Sequence, residues 1–270
     1  MRAPAGACDT HMHFYDTKRP GAPGTFLPGD FTVEDYRAVQ KQLGLERVIV
    51  VQANAYRDDN SVAVDAMKTI GKSAKGVAVV KPDVADAELE RLTEAGMCAV
   101  RIMTLHGGML GFDVMDKVVS RVHPFGWHAN IQLDGRELHK YEAQIKHLPG
   151  KFVIDHTGKF LEPVDVNSDP FKCLLRLVDT NRCWVKLSAP YETSKTGAPK
   201  YEDVSRLARE LVKRAPERML WASNWPHPGN RKPSPPSDTA LLELLLTDWA
   251  PDARTQKKIL SDNPAELYGF

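Results

Sequence analysis

Cysteine is scarce in this 270-residue chain: there are four, Cys8, Cys98, Cys173 and Cys183, with no Cys-x-x-Cys pair and no zinc-finger spacing. That excludes a disulfide scaffold and predicts reduced, mostly buried thiols in a cytosolic enzyme. An excess of one charge is also lacking. Lys+Arg number 36 and Asp+Glu 35, a net +1, whereas nucleic acid or an anionic membrane as main partner calls for a basic surplus. No stretch reaches the roughly 18 apolar residues of a membrane helix. The first residues run into Cys8-Asp9 without the apolar core of a secretory signal. A cytoplasmic protein with a small-molecule partner is expected. No Gly-x-Gly-x-x-Gly follows the first strand and no P-loop is present, which weakens the open nucleotide-binding folds.

What the chain does have is ordinary globular composition, 42% hydrophobic and 26% charged. Short apolar runs recur at 7–12, 47–53, 76–80, 98–103, 128–133, 152–155, 183–187 and 219–222. Their spacing is about 34 residues, the size of one strand plus its crossover helix. Amphipathic segments lie between them, at 33–43, 61–73, 87–95 and 204–212. Thr32 precedes the first with acids in its opening turn, and Gly44 follows it as a C-cap. Eight such units predict an α/β fold, a closed (β/α)8 TIM barrel forming a single domain over 1–270. The Gly/Pro-rich stretches 20–29 and 226–237 are then long loops at the catalytic mouth.

Barrel enzymes carry their chemistry at the C-terminal ends of strands, and polar residues gather there in this sequence. Strand one ends in Asp9-Thr10-His11-Met12-His13, where positions i and i+2 share a face. Strand two offers Asn54, Tyr56 and Arg57; strand four, Arg101 and His106; strand five, Gln132. Strand six offers Asp155, His156 and Lys159; strand seven, Lys186 and Tyr191; strand eight, Asn224 and His227. One such residue would be a loop hydrogen-bonder. Seven polar strand ends predict an enzyme. His-x-His followed by a later strand-end His is a metal-ligand pattern, with simple hydrogen bonding to loops as the alternative. Arg101 after an apolar run needs a carboxylate, from the protein or from a ligand. Lys186 carries the same argument, with a structural ion pair as its alternative. Asp9 and Asp155 are candidates for fixing imidazole tautomers.

Three segments together carry a resemblance: Asp9-Thr10-His11-Met12-His13, Ile154-Asp155-His156-Thr157-Gly158, and Leu220 through Asn224-Trp225-Pro226-His227-Pro228. The chain resembles the amidohydrolase superfamily, in the branch of 2-pyrone-4,6-dicarboxylate hydrolase and D-galactarolactone isomerase. The resemblance implies a (β/α)8 barrel acting on small carboxylated lactones, typically without a divalent metal. It is closer to the isomerase side. The hydrolases carry Asp where this chain has Asn224, and they add arginines near 107 and near Tyr191 that it lacks. One departure runs the other way: His11 stands where the isomerase has Gln, so a zinc site of His11, His13 and His156 stays open.

A carboxamide cannot accept a proton from water as a carboxylate can. The expected reaction is therefore an intramolecular acyl shift in a carboxylated sugar lactone, of the D-galactaro-1,5-lactone to 1,4-lactone type. His11, His13 and His156 would face the oxyanion, and Asn224 and Asn54 would orient hydroxyls. Arg101 and Lys186, with Arg57 or Lys159, would bind the carboxylate, and Tyr56, His106, Gln132, Tyr191 and His227 would complete the pocket. No cofactor is expected on this reading. The alternatives are a lactone hydrolase with zinc on the three histidines and a non-catalytic sugar-acid binding barrel.

Overall fold

A computed structural model describes residues 2–228 and 236–270. Eight strands form one parallel sheet in chain order: β1 (Cys8–Met12), β2 (Arg47–Val51), β3 (Ala74–Ala78), β4 (Met97–Met103), β5 (His128–Gln132), β6 (Phe152–Ile154), β7 (Cys183–Leu187) and β8 (Met219–Trp221). The crossovers hold α1 (Val33–Leu43), α2 (Ser61–Ile70), α3 (Asp86–Glu94), α4 (Phe112–Val122), α5 (Leu138–His147), α6 (Asp169–Val178) and α7 (Glu202–Arg214). Beyond β8 come α8 (Asp238–Leu244), α9 (Ala253–Lys257) and α10 (Asn263–Tyr268). The sheet curls into a nearly closed barrel. At the seam, Asn224 N–H donates to the His11 carbonyl (2.9 Å) and His13 N–H to the Trp225 carbonyl (2.8 Å). Lower on the seam, the Thr10 hydroxyl donates to the Trp221 carbonyl at 2.8 Å.

The alternation of strand side chains divides the core in two. Val48 and Val50 face the helices, while Ile49 and Val51 point inward to join Cys8, Val77, Ala99, Val153, Trp184 and Leu220. Leu267 and Tyr268 of α10 pack against this inner plug. Along the same inward faces, two residues past the plug, the chemistry changes from Ala99, Val153 and Trp184 to Arg101, Asp155 and Lys186. The apolar plug is thus the floor on which a polar layer rests.

The helix signals hold at α1: the Thr32 side chain and Asp35 form a reciprocal capping box, and Gly44 closes the helix with φ 80°. The second helix ends three residues earlier than expected, because Gly71 turns the chain at φ 88°. The third strand lies two residues earlier than expected. Asn60 explains its end: its side chain accepts from Val79 N–H (3.0 Å) and donates to the Val79 carbonyl (2.8 Å), taking both groups from the ladder. Cys8, Cys173 and Cys183 are buried and Cys98 half-buried, all as free thiols. No helix among the described residues is long and apolar enough to cross a membrane.

Candidate active site

A bulge in β1 sets the site. The register against β2 shifts between Asp9 and Met12, which reverses the side-chain phase: Cys8 belongs to the inner plug, whereas Met12 packs outward among the helices. His11 and His13 are thereby turned inward. Asp9 holds the bulge, accepting from the Tyr36 hydroxyl of α1 (2.9 Å), the Ser223 hydroxyl (2.5 Å) and Ser223 N–H (3.0 Å). Burial pushes its carboxyl up to about 6, although the Ser223 and Tyr36 bonds oppose the rise.

One ion pair at the bottom of the polar layer is completely enclosed. Lys186 and Asp155 both have fully buried side chains, with Lys186 Nζ 3.2 Å from Asp155 Oδ1. The ammonium also donates to Asn130 Oδ1 (2.8 Å) and lies 3.2 Å from His11 Nδ1. Its three protons have three acceptors. Asn130 Nδ2 returns a bond to Asp155 Oδ2 at 2.7 Å. Burial alone would raise the Asp155 carboxyl; the Lys186 ammonium outweighs it and holds it well below the usual carboxylate range.

These contacts assign the tautomers. His13 Nδ1 lies 2.8 Å from the Val51 carbonyl, which can only accept, so Nδ1 carries the proton. Burial keeps His13 far below its ordinary pKa and pushes His11 down to about 4, so both are neutral at pH 7. His13 Nε2 therefore presents a lone pair to His11 Nε2, 3.2 Å away, and His11 must donate there. His11 Nδ1 is left to accept from Lys186. The relay runs Lys186 to His11 to His13 to Val51: the Nε2 proton of His11 is spent on His13, and His13 has none at Nε2 to offer a ligand. His156 stands apart: Nδ1 meets the Ser188 hydroxyl at 2.8 Å, while its ring lies 4.7 Å from that of His11. Its backbone, with those of Thr157 and Lys159, takes left-handed φ of 52°, 54° and 48°. Such strain costs on the order of 1–3 kcal/mol per residue and concentrates at functional sites.

Above this layer opens a cavity of about 840 Å³, the size of a small-molecule site. It brings together His13, His156, Asn224, Asn54, Arg57, Arg101, His106, Gln132 and Lys159. His11, Tyr56, Lys186, Tyr191 and His227 do not line it. Tyr56 is turned to Asp16, exchanging bonds with its N–H (2.8 Å) and carbonyl (3.0 Å). The 20–29 loop contributes Gly24, Thr25 and Phe26 to the rim. Of the 226–237 stretch, Pro228 reaches the cavity, and positions 229–235 lie outside the described residues. A larger cavity at the opposite end, near the starts of β2 and β3, holds none of these groups.

Arg101 crosses the cavity floor, 5% exposed. Its guanidinium donates to the Gln52 carbonyl (3.0 Å), Asn54 Oδ1 (2.9 Å) and Gln132 Oε1 (2.9 Å), and its Nε finds no acceptor. All three acceptors are neutral. The carboxylate that the sequence called for is not supplied to Arg101 by any described residue.

Glu192 and Tyr15 also line the cavity, and sequence reasoning assigned neither a role. Glu192, in the turn Pro190–Glu192 after β7, forms an ion pair with Lys159 through Oε2 and accepts from Asn224 Nδ2 at 3.3 Å through Oε1. Burial pushes Lys159 down to about 8, which leaves it largely protonated at pH 7. The Asn224 amide is oriented by a chain of partners. Asp238 lies 3.1 Å from His227 Nε2 and accepts its proton, so His227 Nδ1 accepts from the Tyr191 hydroxyl (2.8 Å). Tyr191 must then accept from Asn224 Nδ2, also at 2.8 Å, and Asn224 Oδ1 has no partner among the described residues.

One group among the described residues has the donors for a metal: His11, Asp155 and His156, with ligand atoms within 4.8 Å of one another. Asp155 thus replaces His13 in the set suggested by the sequence. The Lys186 ammonium already holds Asp155 Oδ1 and His11 Nδ1. A divalent ion would have to displace a charge that has all its partners, so the donor set does not fit one while Lys186 is protonated.

Comparison with known proteins agrees with this architecture. A family model described as amidohydrolase matches residues 8–270. D-galactarolactone isomerase of Agrobacterium fabrum is 34% identical over 98% of this chain and 91% of its own. The 2-pyrone-4,6-dicarboxylate hydrolase of Comamonas testosteroni is 35% identical over 99% of this chain and 92% of its own. An apo crystal structure of the Agrobacterium tumefaciens protein ATU3138 superposes with a TM-score of 0.91 at 34% identity, covering 100% of this chain and 97% of that one. With the match running from the first strand to the last residue, the chain belongs to the amidohydrolase family of enzymes.

Proposed function

We propose that the protein is a cytoplasmic lactone isomerase. It moves an acyl group between hydroxyls of a carboxylated sugar lactone, of the D-galactaro-1,5-lactone to 1,4-lactone type, without a divalent metal. The observation that carries the reading is Arg101: a buried cation with three neutral acceptors and an unpartnered Nε, set in the floor of a ligand-sized cavity. A buried guanidinium without a counter-ion is costly, and a carboxylate on the bound lactone removes that cost. Both relatives named above act, by their names, on a lactone or pyrone.

The carboxylate docks on Arg101, which fixes the lactone ring over the cavity floor. Asn224 Oδ1 accepts from a substrate hydroxyl, holding it beside the carbonyl carbon. That placement makes the attack intramolecular, and effective molarities of such arrangements reach about 10⁵ M or more. Negative charge on the carbonyl oxygen is met by the Lys159 ammonium. His156 adds a donor at Nε2 when the Ser188 hydroxyl donates to its Nδ1.

Turnover of D-galactaro-1,5-lactone in ¹⁸O-labelled water tests the reading. Product free of label supports the acyl shift; label in a new carboxylate would overturn it in favour of hydrolysis.

A further inference from the structure

An acyl shift within one molecule has a proton balance that the groups above do not meet. The incoming hydroxyl oxygen bonds to the carbonyl carbon and must lose its proton. The bond from that carbon to the ring oxygen then breaks, and the departing oxygen must gain one. Nothing is consumed from solvent, so a single base that takes the proton and returns it is sufficient.

Most candidates for that base are already committed. His13 Nε2 accepts from His11. Burial holds His156 far below its ordinary pKa, which makes it a weak base. The Tyr191 proton goes to His227, and burial raises that phenol further. Asp155 is enclosed beneath the cavity with Lys186. Among the described residues that line the cavity, Glu192 is the one carboxylate. Its side chain is 12% exposed, and Oε1 lies 3.3 Å from the Nδ2 of the residue whose other amide atom faces the substrate.

The geometry points to Glu192 as a catalytic residue: it takes the proton of the attacking hydroxyl held by Asn224 and delivers it to the departing ring oxygen. This inference rests on the isomerase reading and deepens it. Lys159 pairs with the Glu192 carboxylate before attack and turns to the oxyanion as the proton moves onto Glu192. Charge within the pair is conserved through the step, because the negative charge passes from Glu192 to the former carbonyl oxygen and back. Asn224 then has two tasks. Its Nδ2 positions the base, and its Oδ1 positions the nucleophile.

The test measures wild type, Glu192→Gln, Glu192→Asp and Glu192→Ala with D-galactaro-1,5-lactone, following 1,4-lactone formation by NMR. Product-lactone binding by calorimetry and thermal melting serve as controls. Glu192→Gln is expected to lose about 10²–10⁴-fold in kcat, the usual worth of a general acid–base group, with binding within a few-fold of wild type. Glu192→Asp retains intermediate activity, and added formate restores part of the rate of Glu192→Ala, which a merely structural role would not allow. Near-wild-type kcat in a folded Glu192→Gln protein, or a folded Glu192→Ala protein indifferent to formate, overturns the inference while leaving the isomerase reading intact. A wild-type enzyme that releases only ring-opened acid would defeat that reading instead.

Discussion

Lys186 Nζ lies 3.2 Å from Asp155 Oδ1, and neither side chain is exposed at all. The pair closes the base of the site with a fixed positive charge that also reaches His11. Breaking such a pair on one side leaves a buried charge without compensation, at a cost of about 3–5 kcal/mol. Lys186→Met is therefore expected to lower Tm strongly. It also frees the His11, Asp155 and His156 donors, so zinc should raise the Tm of the variant and leave that of the wild type unchanged. Equal responses to zinc would show that Lys186 does not stand in the way of a metal.

Arg101 is expected to decide charge preference. Arg101→Met should lower kcat/KM for a carboxylated lactone by about 10²-fold, the worth of two charge-assisted hydrogen bonds. The neutral methyl ester of the same lactone should lose far less. Arg101→Lys should not restore the difference, because a point ammonium cannot hold the Gln52, Asn54 and Gln132 oxygens and a carboxylate together. Equal losses on acid and ester would place the carboxylate elsewhere.

Asn224→Asp would bring a second carboxylate against Glu192 and against a Tyr191 oxygen whose proton is committed to His227. Two carboxylates so close cannot both ionise readily. The single variant should be poor in both isomerisation and hydrolysis at pH 7. Combined with Glu192→Gln, which leaves one carboxylate at the strand-eight position, it should shift the products toward ¹⁸O-labelled acid. Isotope incorporation measured for both proteins checks this.

His128 offers a pH test away from the site. It is 6% exposed, its Nε2 has no partner, and burial pushes its pKa down to about 3. Unfolded, it titrates near its ordinary value of 6.5. Between those two values the unfolded chain binds a proton that the folded protein refuses, so stability falls as pH drops through that window. His128→Leu removes the penalty. Its Tm relative to wild type should be more favourable at pH 5 than at pH 7.5, in melts under otherwise identical buffers; an equal difference at both values would mean His128 does not contribute.

Barrel architecture was legible because the eight strands fall on evenly spaced apolar runs, with a helical pattern read in four of the crossovers between them. The edge of β3 was not, since Val79 and Val80 continue the apolar run while Asn60, 19 residues away, removes Val79 from the sheet. At the site, strand period alone puts His11 and His13 on one face, but that this face is the inward one depends on the bulge between Asp9 and Met12, which the sequence does not announce. That His11 spends its Nε2 proton on His13 was not legible either, because it depends on Val51 and Lys186, which come from other strands. Glu192 escaped notice for a related reason. An acid beside a tyrosine in a loop looks ordinary until the turns after β6, β7 and β8 set it between Lys159 and Asn224.

The seam bonds between the first and last strands have a further consequence. The backbone of His11 and His13 is tied to that of Asn224 and Trp225, which lie more than 200 positions later. A nascent chain emerging from the ribosome thus carries its histidines for more than 200 further residues before the centre can be assembled. Complementing fragments cut between β4 and β5 should each be inert alone and gain turnover only when mixed.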